Sequence, residues 1–150
     1  EILKNKGATV ATCPASNLKL GCGICDIDTL LKKGVNVAVG TDSVSSNNNF
    51  NILKDIYLCA VLPKGYYHKP DIVSEKDVLK MATVNGYNSQ GRKDCGKVAE
   101  GFRADLIVFD IDTVQMCPHT DTLNNLVYAA NGGDIVLTMV DGKVIYKNGE

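Results

Sequence analysis

Val35-Asn36-Val37-Ala38-Val39 is an almost unbroken apolar, β-branched run that stops on Gly40-Thr41-Asp42 and gives way to Ser45-Ser46-Asn47-Asn48-Asn49. Such a run predicts a strand covered on both faces, as in a parallel sheet. Residues 1–6 read as the end of a helix stopped by Gly7, and residues 8–13 as a second short buried strand ended by Pro14. Between the two strands, Ile27, Leu30 and Leu31 fall at helical spacing, Lys32-Lys33 suit a helix C-terminus, and Gly34 stops it. Strand, loop, helix and strand within about 30 residues make one βαβ unit with parallel strands.

The pattern then predicts a helix over residues 51–62, closed by Pro63-Lys64-Gly65. Ser74-Glu75-Lys76-Asp77 has the form of a capping box, opening an amphipathic helix through Val78, Leu79, Ala82 and Val84 that fails at Asn85-Gly86. From Gly96 the periodicity becomes strand-like. Residues 104–109 and 135–140 are β-runs, and Asp141-Gly142 before Lys143-Val144-Ile145-Tyr146 signals a type I′ hairpin. The fold class is α/β, with a break between Gly91 and Gly96 that divides the chain into residues 1–95 and 96–150.

At 150 residues, 45% of them hydrophobic, the chain has about the length of one soluble globular domain. A formal net charge of -1 with scattered Lys and Arg argues against nucleic acid or an anionic membrane surface as partner. No apolar stretch approaches the roughly 20 residues that span a bilayer. The first residue is not Met, consistent with a chain that starts within something larger. Six cysteines at irregular spacings read as reduced thiols of a cytoplasmic protein; Cys22-Gly23-Ile24-Cys25 lacks the second pair that would make C-x-x-C a zinc site.

The candidate chemistry is at Asp42. A carboxylate where a buried strand leaves the sheet can bind a metal ion or take a proton. It can equally cap the helix beginning near Asn51 or tie down the Ser/Asn turn, and the stretch alone leaves both readings open.

Cys13-Pro14-Ala15-Ser16-Asn17-Leu18-Lys19-Leu20 after the first strand and Gly40-Thr41-Asp42 with Ser46-Asn47-Asn48-Asn49 after the second resemble the amidohydrolase superfamily. The nearest branch is that of methylthioadenosine/S-adenosylhomocysteine deaminases and triazine chlorohydrolases. Met81-Ala82-Thr83-Val84-Asn85-Gly86, residues 101–108, Leu126-Val127-Tyr128-Ala129-Ala130 and Val140-Asp141-Gly142-Lys143-Val144 continue the resemblance in collinear order. It implies the C-terminal piece of a distorted (β/α)8 metal-dependent hydrolase barrel, whose last two β/α units occupy residues 1–95, followed by part of a small β-sandwich over residues 96–150.

The resemblance further implies hydrolytic deamination of an adenine-type nucleoside by metal-activated water, with Asp42 as metal ligand and proton acceptor. The alternative reaction is dechlorination or deamination of another heteroaromatic ring. The metal would be one divalent ion, zinc first and iron, manganese or nickel after it, with its other ligands in an N-terminal barrel segment that this chain does not carry. Ser16, Asn17, Ser45, Ser46 and Asn47 either shape the substrate pocket or support Asp42 from behind, or they merely hydrogen-bond the rim turns. His68 and His119 stand away from strand ends and read as loop histidines. Thr12 replaces a His common among the deaminases, and Asn51 and Lys54 replace acidic residues common at the start of the eighth helix. These departures bear on the substrate. The expected partners are a small nucleoside or heteroaromatic substrate, the missing barrel segment and further subunits; the isolated chain, holding one recognisable ligand, is expected to be a noncatalytic structural fragment.

Overall fold

The computed structural model describes residues 1–149; Glu150, the last residue of the expected segment 96–150, lies outside the described residues. Helix α1 (Ile2–Asn5) leads into strand β1 (Thr9–Thr12), and the chain crosses through α2 (Pro14–Lys19) and α3 (Ile27–Lys32) to β2 (Asn36–Val39). The Asp26 carboxylate caps α3 by accepting from the Thr29 amide at 3.1 Å. β1 and β2 pair in parallel, Thr9 opposite Asn36 through Thr12 opposite Val39, the βαβ unit that the apolar runs predict.

A single turn of helix, α4 (Val44–Asn47), follows β2, and α5 (Ile52–Tyr67) begins at its cap Asn51. Here the structure departs from the expected stop: α5 runs through Pro63 for another turn and ends at His68 in the left-handed conformation, φ 53°. Pro63 lacks the N–H that continues a helix, but its ring is fully buried, and that packing compensates for the lost bond.

Helix α6 (Glu75–Ala82) carries the expected capping box between Ser74 and Asp77. The chain then bends at Thr83, and α7 (Val84–Ser89) passes straight through Asn85-Gly86. Two long-range bonds hold it: Asn85 Nδ2 donates to the Val37 carbonyl (2.9 Å), and Asn36 Nδ2 donates to the Asn85 carbonyl (3.0 Å). Propensity broke the expected helix at these residues; tertiary hydrogen bonds to β2 re-form it.

The core gathers where α3, α5, α6 and α7 cover β2, and includes Val37, Ile56, Cys59, Val78, Met81 and Val127. Strand β3 (Leu106–Phe109), helix α8 (Thr122–Tyr128), strand β4 (Ile135–Val140) and strand β5 (Lys143–Lys147) complete the described chain. The last three strands form an antiparallel sheet in the order β3-β4-β5. Asp141 and Gly142 have φ of 49° and 78°, the two positive values that a type I′ hairpin requires. This sheet is thinly covered: β5 is exposed along its whole length, and Ile107 and Ile145 are half exposed. Among the described residues no helix is long and apolar enough to cross a membrane.

Candidate active site

Both parallel strands empty onto the same rim. β1 passes through Cys13 into α2, with Pro14 in the first turn where its missing N–H costs nothing, and so places the buried Ser16 over the end of the sheet. β2 ends at Gly40, whose amide donates to the Thr12 carbonyl at 2.9 Å. A Cβ at Gly40 would lie 3.3 Å from Cys13 Sγ, so the absence of a side chain lets the two turns approach. Asp42 follows in the left-handed conformation, φ 62°, a region that Asp tolerates better than most residues.

Three donors converge on its carboxylate. Oδ2 accepts from Ser16 Oγ (2.6 Å) and Ser46 Oγ (2.7 Å), and Oδ1 accepts from the Ser43 amide (2.8 Å). The Ser16 and Ser46 hydroxyls, with the Ser43 amide, hold the Asp42 carboxyl below the usual carboxylate range, so it is anionic at neutral pH. Each carboxylate oxygen has two lone-pair sites. Those of Oδ2 are occupied; Oδ1 keeps one free. The Asp42 residue is exposed.

The structure brings together only part of the expected set. Ser16 and Ser46 touch Asp42, whereas Ser45 reaches it only through Ser43, hydroxyl to hydroxyl at 2.9 Å, and its carbonyl accepts from Lys19 Nζ at 3.2 Å. Lys19 also bonds Asn48, fastening α2 to the turn. Asn47 is buried beneath the rim, where its Nδ2 donates to the Thr41 carbonyl (2.7 Å) and to Asp55 Oδ2 (3.0 Å). Asn17 bonds elsewhere: its amide donates to the Cys13 carbonyl (2.9 Å), and its carbonyl accepts from the Cys22 amide (2.8 Å). Asp42 does not cap α5, because the Asn51 side chain does so by accepting from the Leu53 amide at 3.1 Å. It does tie down its own turn.

Asp55 escaped the sequence reading. It is completely buried on the face of α5 that also carries Ile56, Cys59 and Pro63, and one carboxyl on an otherwise apolar helical stripe was the available signal. Burial first, then the Asp55 charge, pushes the Cys59 thiol up to about 12, and burial with Asp42 beside it raises Cys13 as well. Neither offers a thiolate nucleophile at neutral pH.

No group of three or more His, Cys, Asp or Glu side chains able to hold a metal ion occurs among the described residues. His68 is the exposed C-cap of α5, and His119 is exposed with its Nε2 3.3 Å from Cys117 Sγ. A protein-bound zinc-type ion needs three or four protein donors, so these residues do not complete such a site; the free lone pair of Asp42 fits one donor position.

The amidohydrolase family model matches residues 1–145. The chain belongs to the amidohydrolase family. It is 44% identical to a 5-methylthioadenosine/S-adenosylhomocysteine deaminase of Caldicellulosiruptor saccharolyticus over 99% of this chain and 35% of that protein. Its fold superposes with a TM-score of 0.95 on an adenosine deaminase from Xanthomonas campestris with bound zinc, at 30% identity, covering 98% of this chain and 34% of that one. Atrazine chlorohydrolase from Arthrobacter aurescens, also complexed with zinc, gives 0.88 at 29% identity over 96% of this chain and 32% of its own. The chain spans about a third of the length of the curated relatives it matches. The expected fold class therefore holds: this is an α/β chain matching the C-terminal part of the amidohydrolase barrel fold, with a three-stranded antiparallel sheet after it.

Proposed function

We propose that this chain supplies the Asp42 rim of a metal-dependent amidohydrolase that deaminates an adenine-type nucleoside hydrolytically. Water adds to the ring carbon bearing the amino group, the C–N bond breaks, and ammonia leaves. The observation that carries the reading is the Asp42 carboxylate at the end of a parallel strand, kept anionic by three donors with one lone pair of Oδ1 unused. That free position would serve as one donor to a divalent ion, zinc first, or as acceptor of the attacking water's proton, one at a time. The ion, when bound, supplies the Lewis acidity that lowers the pKa of water; its remaining donors come from outside this chain. Ser16 and Ser46 hold Oδ2, so the carboxylate presents Oδ1 in one orientation. The likeness to the Caldicellulosiruptor deaminase favours the nucleoside. The same reading divides the chain at residue 95 into barrel units and sandwich segment, and treats residues 1–150 alone as inactive.

The test is Asp42→Asn in the full-length protein, assayed on methylthioadenosine, with metal content measured on the same preparations. Asn keeps the shape and loses the charge, so turnover is expected to fall by about 100- to 10,000-fold, with additional loss of bound metal. Near-normal kcat would reduce Asp42 to a turn residue. The second reading, hydrolysis of a chlorinated or aminated heteroaromatic ring, is favoured by the fold match to the Arthrobacter chlorohydrolase. Faster turnover of a chlorotriazine than of methylthioadenosine would establish it.

A further inference from the structure

We infer that Asp55 is a positioning residue that holds Asp42 against Ser16 by fastening both rim turns to one buried carboxyl; its catalytic consequence rests on the role of Asp42 proposed above. Asp55 is 0% exposed, and no Lys or Arg pairs with it among the described residues. Burying a carboxyl is costly unless hydrogen bonds replace the lost water. On a helix face shared with Ile56, Cys59 and Ala60, an apolar side chain would pack without that cost. What the carboxyl provides instead is a pair of acceptors aimed at two different turns.

Oδ1 accepts from the Ala15 amide (3.0 Å), a first-turn N–H of α2 with no acceptor inside its own helix. The next residue is Ser16. Oδ2 accepts from Asn47 Nδ2 (3.0 Å), which also donates to the Thr41 carbonyl (2.7 Å). The next residue is Asp42. One carboxyl thus fixes the backbone on both sides of the 2.6 Å bond from Ser16 Oγ to Asp42 Oδ2, and helps to hold Asp42 at φ 62°, which side chains rarely adopt unless their surroundings enforce it. Both partners of Asp55 are donors, so only a carboxylate, with two acceptor oxygens, satisfies both. An asparagine at 55 sets its own NH2 against one of them. Turning Asn47 over to offer its buried, unpartnered Oδ1 would break the bond to Thr41.

The experiment uses the full-length protein carrying Asp55→Asn, Ser16→Ala or both, with hydrogen exchange followed at the Ala15 and Ser43 amides. Asp55→Asn is expected to lower kcat about 10- to 100-fold, the scale of an ångström misplacement, with KM changed less than about threefold. Because Asp55 acts partly through Ser16 and partly through Asn47 and Thr41, the double variant is expected to lose less than the product of the two single losses. Multiplicative losses, or an unchanged kcat, overturn the inference. Exchange separates it from the functional reading: the Ser43 amide, bonded to Asp42 Oδ1, is expected to exchange faster in Asp55→Asn whether or not Asp42→Asn abolishes turnover. Acceleration confined to Ala15 overturns the positioning role. Asn47→Ala, which leaves the Asp55 bond to Ala15 in place, is the second variant should Asp55→Asn not fold; it is expected to lower kcat and speed Ser43 exchange likewise, and normal values for both overturn the inference.

Discussion

Gly96→Ala tests how the segment entering the β-rich part is seated on the helical layer. Gly96 has φ 88°, and a Cβ built there lies 2.8 Å from both Cα and N of Val84 and 3.0 Å from the carbonyl carbon of Thr83. These are backbone atoms at the bend between α6 and α7, so no rotamer change relieves the clash. Placing an L side chain at left-handed φ costs about 1–2 kcal/mol, and forced overpacking about 1–3 kcal/mol, for a total of about 2–5 kcal/mol. Gly101 separates the two contributions: its φ is 78°, but a Cβ there meets nothing within 4 Å, so Gly101→Ala carries only the conformational part. Urea denaturation of the two full-length variants, followed by circular dichroism, is expected to place Gly96→Ala about 1–3 kcal/mol below Gly101→Ala. The damage spreads along a defined route. Val84 precedes Asn85, whose side chain bonds the Val37 carbonyl at 2.9 Å, so displacing the bend loosens the seat of β2 itself. Equal midpoints and slopes for the two variants would refute the close approach of Gly96 to Val84.

The buried Met81 is completely enclosed in the core, whereas Val98 is 87% exposed, so Met81→Ala is expected to cost about 2–5 kcal/mol and Val98→Ala less than about 0.5 kcal/mol by the same denaturation assay. Tyr128 first, then the Glu75 backbone amide and after it Lys64, hold the Glu75 carboxyl below its usual value; a lowered folded-state pKa stabilises the protein above the unfolded value near 4.5, and that contribution disappears as pH falls through the folded value. Tyr128→Phe is therefore expected to lose about 1–2 kcal/mol at pH 7 and progressively less as pH falls below 4.5, and a deficit independent of pH would contradict the linkage.

The strands and the hairpin were legible because each is written in local chemistry. The apolar run ending on Gly40-Thr41-Asp42 identified a strand leaving a sheet, and Asp141-Gly142 specified the turn through its two positive φ angles. The capping box at Ser74 was equally local. Where the reading failed, the deciding contact came from far along the chain. Pro63 ends a helix in isolation, but burial carries α5 past it; Asn85-Gly86 breaks a helix in isolation, but bonds to Asn36 and Val37 hold α7 together. The rim divides in the same way. The sequence alone singled out Asp42, because a carboxylate after a buried strand is a pattern of neighbours. It could not divide Ser16 and Ser46 from Asn17, since all three are small polar residues in rim turns, and only the crossing of two turns decides which hydroxyls meet the carboxylate. Asp55 was decided entirely by tertiary structure: its bonds reach 40 residues back to Ala15 and 8 back to Asn47, and a buried acceptor pair acquires meaning only once the two turns it fastens have been brought together.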